Sequence, residues 1–263
     1  MSVFSKSNVS SGLVERCSEC PTSRNSRRYW SWDDGKCHLK VHWNDDVWEV
    51  SFVDTKNDMV NWINENTTDT FVLFFDCEWS RSTRKGIGLI QIATDVSKCK
   101  VIIVDCTKVS LEQIRKKFFN AFTMVGWSSS NDVKRLEQDE TKRQNLLKKV
   151  IDLQKLISNQ EMFDKLGQEE KEKVANYVPL DKNGKVQENK RIINGQISHN
   201  VWSLDNMAEC FLGHTAKVPL EKHPQWSNGK WKFKDRDIHY AANDVIGLAY
   251  IYDKLKYIYK LKF

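Results

Sequence analysis

The spacing of apolar residues predicts a run of short elements from about residue 39 onward. "VWEVSFV" (47–53) reads as a strand and "NDMVNWINEN" (57–66) as a short amphipathic helix. Three apolar runs then follow in quick succession: "FVLFFDCEW" (71–79), "IGLIQIAT" (87–94) and "KVIIVDC" (100–106). Connections this short predict an antiparallel meander. Ser110 followed by Gln113 is a capping box, opening a helix with Leu111, Ile114 and Phe118 on its apolar face. "FTMVGW" (122–127) is a further strand, a helix begins near Asp132, and "VIDL" (150–153) is one more apolar segment after a basic stretch. Helices over 203–212 and 236–257 close the pattern. The sum is an α/β fold: a mixed sheet, antiparallel meander plus parallel strands, flanked by helices on both faces.

Two stretches fall outside this pattern. Residues 1–38 are rich in Ser, Arg and Asn and read as a flexible tail, leaving 39–263 as the folded domain. The charged segment 157–201 ("GQEEKEKV", "DKNGKVQENKR") carries little core and reads as an excursion or lid. There is no internal repeat.

Composition narrows the class without deciding it. The 263 residues are 40% apolar, enough for a sizeable core, and 41 Lys+Arg against 35 Asp+Glu leave a formal charge of +6. That excess permits nucleic acid as a partner without demanding it. No apolar run approaches the roughly 18 residues that span a bilayer, so no membrane association is expected. The seven cysteines are scattered, several within apolar runs, which reads as reduced thiols and an intracellular location, nucleus or cytoplasm. Cys17 and Cys20 form a CxxC that Cys37 with His38 or His42 would have to complete as a zinc site; the second half lacks standard spacing, and a plain reduced tail is the stronger reading.

The chemistry begins at "FVLFFDCEW". Side chains on a strand alternate, so Asp76 and Glu78 share one face at the end of a buried segment. Adjacent carboxylates repel unless a cation or a shared proton compensates them. Asp105, two strands away in the meander, would lie about 10 Å off at roughly 4.8 Å per strand, too far to share an ion. "FTMVGW" can lie on the other side of the first strand, and its loop then delivers Asp132 to the same sheet end; Asp152, one strand further, is structural on the same reasoning. In the last helix Tyr240 and Asp244 are spaced i, i+4 on one face, with Ala241 and Ala242 permitting close approach to a neighbour. Each residue also has a plain alternative: Asp132 a helix cap, Asp244 a solvated acid, Tyr240 a half-buried aromatic.

In combination and in order, "DCEW", "GIGLIQIAT", "VGWSSSNDVKRL" and "HYAANDVIGLAYIYDKL" resemble the three exonuclease motifs of the DEDDy superfamily, which includes RNase D and the Werner-type exonucleases. The Trp after Glu78 leans toward the Werner-type branch, and "VWSLDNMAECFLGH" resembles the helix that precedes the last motif. The resemblance spans about Val47 to the C-terminus. It implies a ribonuclease-H-like fold and metal-dependent hydrolysis of RNA or DNA from the 3′ end, releasing nucleoside 5′-monophosphates. By the same resemblance Asp76 bridges two divalent cations, Glu78 and Asp244 complete the first site, Asp132 holds the second and Tyr240 orients the attacking water. Two ions roughly 3.5 to 4 Å apart stabilise both the attacking and the leaving oxygen. Oxygen-only ligands favour Mg²⁺ or Mn²⁺. Trp127 after Gly126 and the long 157–201 segment depart from the family pattern without touching a ligand.

Expected contacts to a single-stranded 3′ end are Trp79, Gln91, Lys217 and Trp226, the last two from "KVPLEKHPQWSNGKWKF", where Lys and aromatic residues interleave and Asn228-Gly229 reads as a tight turn. The alternative for Trp79 and for this segment is core packing. A protein partner would dock on the tail or on the 157–201 excursion. The competing functional readings are a nucleic-acid or protein-binding scaffold with a silent site, which loss of a metal ligand would have favoured, and an endonuclease of the same fold.

Overall fold

A computed structural model of the chain describes residues 14–16, 38–43, 45–79, 86–157, 165, 167–169, 192–193, 196–197, 203–213, 226–227 and 233–259. Strands β1 (Val14–Arg16), β2 (His38–Trp43) and β3 (Asp46–Val53) precede helix α1 (Lys56–Asn66). The meander is β4 (Val72–Glu78), β5 (Leu89–Ala93) and β6 (Lys100–Asp105). After it come α2 (Leu111–Ile114), β7 (Thr123–Gly126), α3 (Ser130–Leu136), α4 (Glu140–Leu147), β8 (Val150–Asp152) and α5 (Leu153–Ile157). A small separate hairpin, β9 (Ile192–Ile193) and β10 (Gln196–Ile197), lies within the 157–201 segment, and α6 (Leu204–Leu212) and α7 (Asp235–Tyr259) follow.

The main sheet has the order β1-β2-β3-β6-β5-β4-β7-β8. β4, β5 and β6 pair antiparallel as the short connections require, while β3 runs parallel to β6, and β7 parallel to both β4 and β8. β4 is therefore an inner strand with β7 directly beside it.

Both faces of the sheet are covered, which is why its strands read as nearly continuous apolar runs. One face carries Phe52, Phe74, Leu89, Val101, Ile103 and Val125, packed against Val245, Leu248 and Ile251 of α7. The other carries Leu73, Phe75, Cys77, Ile90, Ile102 and Met124, packed against Trp62 of α1, Phe118 and Phe119, and Val133 and Leu136 of α3. Each such large side chain stabilises the fold by about 1.5–3 kcal/mol on burial.

Local caps set the element ends. The Ser110 side chain accepts a hydrogen bond from Gln113 N at 3.3 Å, and α2 then widens into a π-helical turn over Arg115–Phe119. The extra residue in that turn places both Phe118 and Phe119 in the core, wholly buried.

The structure differs from the sequence-based expectation in two places, and it also removes one plain alternative. The stretch expected as a tail contributes β1, an edge strand on β2. The basic stretch before "VIDL" contains α4, which has little apolar periodicity because only Leu146 is buried; Asp139 starts it by accepting from Lys142 N at 2.9 Å. Asp132 is not a helix cap, because Ser129 occupies that position and Asp132 lies inside the first turn of α3. Cys17, Cys20, Cys37, Lys217 and the Asn228-Gly229 turn lie outside the described residues. Among the described residues no helix is long and apolar enough to cross a membrane.

Candidate metal and catalytic centre

Period-two alternation along β4 sends Phe74, Asp76 and Glu78 to the face covered by α7, and Cys77 to the other. Ala241 and Ala242 of α7 are wholly buried, so the helix comes close to the sheet there. Asp244, one helical turn beyond Tyr240, then arrives at the end of β4. One oxygen from each of Asp76, Glu78 and Asp244 lies within 4.8 Å of the other two.

Three carboxylates at that spacing are in conflict. At an effective dielectric of about 20, each ionised pair some 5 Å apart repels by roughly 3 kcal/mol. Burial, slightly offset by the Cys77 backbone N–H, pushes the Asp76 carboxyl from 3.8 up to about 6. Glu78 is pushed well above the ordinary range by burial and then by the charges of Asp76, Asp244 and Asp132. The arrangement needs protons or a cation. An oxygen-only set this tightly grouped fits a hard divalent ion such as Mg²⁺ or Mn²⁺.

Asp132 stands just beyond that triad. It is 4% exposed, its Oδ1 has no hydrogen-bond partner among the described residues, and burial followed by the charges of Asp76 and Asp152 pushes it up to about 9. It approaches from the opposite side of the sheet end: α3 packs into the second core, and Asp132 is the strongest charge acting on the buried Cys77 thiol. Its loop is held in two ways. Asp152 accepts from Ser128 N at 3.0 Å and Ser129 N at 3.1 Å, fixing Ser128 in the left-handed region at φ 51°. Gly126 leaves no room for a side chain, since a Cβ there would stand 2.7 Å from Ser129 Cβ and 2.9 Å from Phe75 Cε1.

Asp105, also on the face that α7 covers, is two strands from β4 and accepts from Thr107 N at 2.9 Å and Thr107 Oγ1 at 2.6 Å, a turn-forming role. Tyr240 is half-buried, and burial together with Asp244, Glu78 and Asp76 pushes its phenol above its ordinary value, so it stays a hydrogen-bond donor facing the acids.

The expected substrate contacts are placed differently from the acids. Trp79 follows Cys77 in the alternation, so it turns to the second core and lies under Arg135, whose guanidinium is 4.5 Å from the ring centroid. The ring is only partly buried there. Gln91 lies opposite Asp76 on the same face but is wholly buried, so it offers a bound strand no direct contact; both its amide atoms lack partners among the described residues. Trp226 is 3% exposed, stacked with Phe233 at 5.9 Å and Tyr240 at 6.2 Å between centroids, leaving almost no ring surface for a base. Sequence reasoning missed Asp152's anchoring of the Asp132 loop and the closeness of Trp226 to Tyr240. The Gly-Ile-Gly run at 86–88 was the available signal for the second, since paired glycines beside a strand mark close backbone approach.

A family described as 3′-5′ exonuclease matches residues 50–260. The fold is similar to that of the Nibbler EXO domain of Aedes aegypti, with 19% identity, a TM-score of 0.55, and coverage of 80% of this chain and 88% of that one. It is also similar to the catalytic core of RRP6 from Trypanosoma brucei, with 20% identity, a TM-score of 0.50, and coverage of 80% and 46% respectively. No curated protein matches the chain by sequence.

Proposed function

The chain belongs to the 3′-5′ exonuclease family, and on that premise we propose that it hydrolyses the terminal phosphodiester at the 3′ end of an RNA or DNA strand, releasing nucleoside 5′-monophosphates. The observation that carries this reading is the convergence of Asp76, Glu78 and Asp244 oxygens within 4.8 Å, where the end of β4 meets α7.

In this reading those three carboxylates, with the buried Asp132 beside them, would hold divalent cations, Mg²⁺ or Mn²⁺. When bound, such cations lower the pKa of water and neutralise charge on the attacking and leaving oxygens. The chain's own part is positional. β4 and α7 fix the carboxylates before substrate arrives, so no reorganisation is needed when charge develops. Tyr240, kept protonated by burial and then by its acidic neighbours, donates a hydrogen bond that orients the attacking water. The substrate in this reading is a single-stranded 3′ end.

The test is degradation of matched 5′-labelled RNA and DNA oligonucleotides with Mg²⁺ or Mn²⁺. Successive shortening from the 3′ end is expected, abolished by Asp76→Asn and slowed about 10²-fold or more by Tyr240→Phe with metal affinity retained. Nucleotide release in excess chelator, or wild-type turnover by Asp76→Asn, overturns the proposal.

A further inference from the structure

The turn at Trp226-Ser227 carries no acid, yet it is tied to the site at several points. The Trp226 ring is tilted 28° from that of Tyr240 and 21° from that of Phe233, both stacked arrangements. Ser227 Oγ donates to Gly86 O at 2.6 Å. A Cβ on Gly88 would stand 1.9 Å from Trp226 O, 2.2 Å from Trp226 C and 2.8 Å from Ser227 N, so the backbone of the turn rests directly on Gly88. Gly88 N in turn donates to Glu78 O at 2.8 Å, and Gly88 O accepts from Cys106 N at 2.9 Å. One chain of contacts therefore runs from the backbone of Glu78, through Gly88 and Trp226, to the ring of Tyr240.

We propose that Trp226 is a positioning residue for the exonuclease reaction and that Gly88 is its seat: the turn docked on Gly88 sets the distance between the Tyr240 phenol and the carboxylates of β4. This rests on the role given to Tyr240 above. A phenol that orients a water must hold its oxygen to a fraction of an ångström, and α7 alone fixes only the backbone to which the ring is attached. Trp226 supplies the side support, and because its own seat is the strand end that presents Glu78, any shift of that strand carries the tyrosine with it. The bare glycine is what makes the seat. With a methyl group at 88, Trp226 O, 1.9 Å from it, would have to retreat by about 1.5 Å to reach ordinary contact, and misplacements of even about 1 Å cost on the order of 10²-fold in rate.

The experiment measures kcat, KM, Mn²⁺ affinity and melting temperature for Gly88→Ala, Trp226→Leu and Trp226→Phe, each with Tyr240 intact and in the Tyr240→Phe background, on a 5′-labelled oligonucleotide. We expect Gly88→Ala and Trp226→Leu to lower kcat by about 10- to 100-fold with KM and Mn²⁺ affinity nearly unchanged, and Trp226→Phe, which keeps a stacking ring, to recover most of the rate. In the Tyr240→Phe background the same substitutions should cost little more, as for residues acting through one group. Wild-type kcat in folded Gly88→Ala overturns the proposal, as do losses that multiply undiminished with Tyr240→Phe. Should Trp226→Leu fail to fold, Gly88→Ala and Trp226→Phe decide the matter. If Tyr240→Phe itself turns over normally, it is the role of Tyr240 that fails, and the positioning role falls with it.

Discussion

Replacing Asp76 by asparagine separates what the acidic site does for catalysis from what it does to stability. In the metal-free protein the ionised Asp76 carboxylate is penalised: its pKa is raised from 3.8 to about 6, chiefly by burial. At about 1.36 kcal/mol per pKa unit, this amounts to about 3 kcal/mol of destabilisation at pH 7. The penalty is absent below about pH 3.8, where the group is protonated in both the folded and the unfolded chain, and is fully present above about pH 6. Asparagine keeps the shape without the charge, though its buried amide takes back part of the gain. For a chain of this size each kcal/mol moves the melting temperature by roughly 2–4 °C. Asp76→Asn should therefore melt several degrees higher than wild type at pH 7 in excess chelator, while being inactive. The difference between the two proteins should shrink as pH falls from 6 toward 4. Added Mg²⁺ or Mn²⁺ should raise the wild-type melting temperature and move the variant much less, because binding to the native state stabilises by mass action. Scanning calorimetry at pH 7 and pH 4.5, with chelator and with metal, gives all of these. A variant that melts lower than wild type in chelator, or that gains as much from metal, refutes the reasoning that crowded acids await a cation.

Three further outcomes follow from particular contacts. Gly126→Ala would force a Cβ against Ser129 and Phe75, so a loss of about 1–3 kcal/mol is expected in denaturant melts, with turnover reduced through the displaced Asp132 loop. Asp152→Ala removes the acceptor for Ser128 N and Ser129 N and should cost about 1–3 kcal/mol; it should weaken activity while leaving Mn²⁺ binding at the Asp76, Glu78 and Asp244 triad measurable by calorimetric titration. His239 is 6% exposed and burial holds it down from 6.5 to about 4, so the neutral form is favoured in the fold. Its burial costs nothing above about pH 6.5, where the imidazole is neutral in both the folded and the unfolded chain; the penalty grows as pH falls and is full below about pH 4, at about 3 kcal/mol. His239→Gln should flatten the acid side of the stability profile, and an unchanged acid slope would show that another group governs it. Because this penalty grows as pH falls while that of Asp76 relaxes, the Asp76 effect is read from the difference between wild type and variant.

Much of the fold was legible because its signals are local. Five apolar residues running into Asp76-Cys77-Glu78 identify a buried strand, brief connectors identify the meander, and Ser110 with Gln113 marks a helix start, all from neighbours within a few positions. Helix α4 was hidden because Asp139 and surface pairs form it with almost no apolar face, and strand β1 because an edge strand of three residues needs only a partner's backbone, here that of β2.

The site divides along the same line. Sequence alone determined which acids share a face, since alternation on β4 and the i, i+4 spacing of Tyr240 and Asp244 are properties of the backbone. Only the tertiary structure decided the outward residues: the same alternation that turns Asp76 to α7 turns Trp79 to the opposite core, and Trp226 is buried because a turn far along the chain comes to rest on Gly88. Backbone geometry repeats along a chain and can be read from it, whereas which surfaces meet depends on how distant segments pack, and no local pattern carries that.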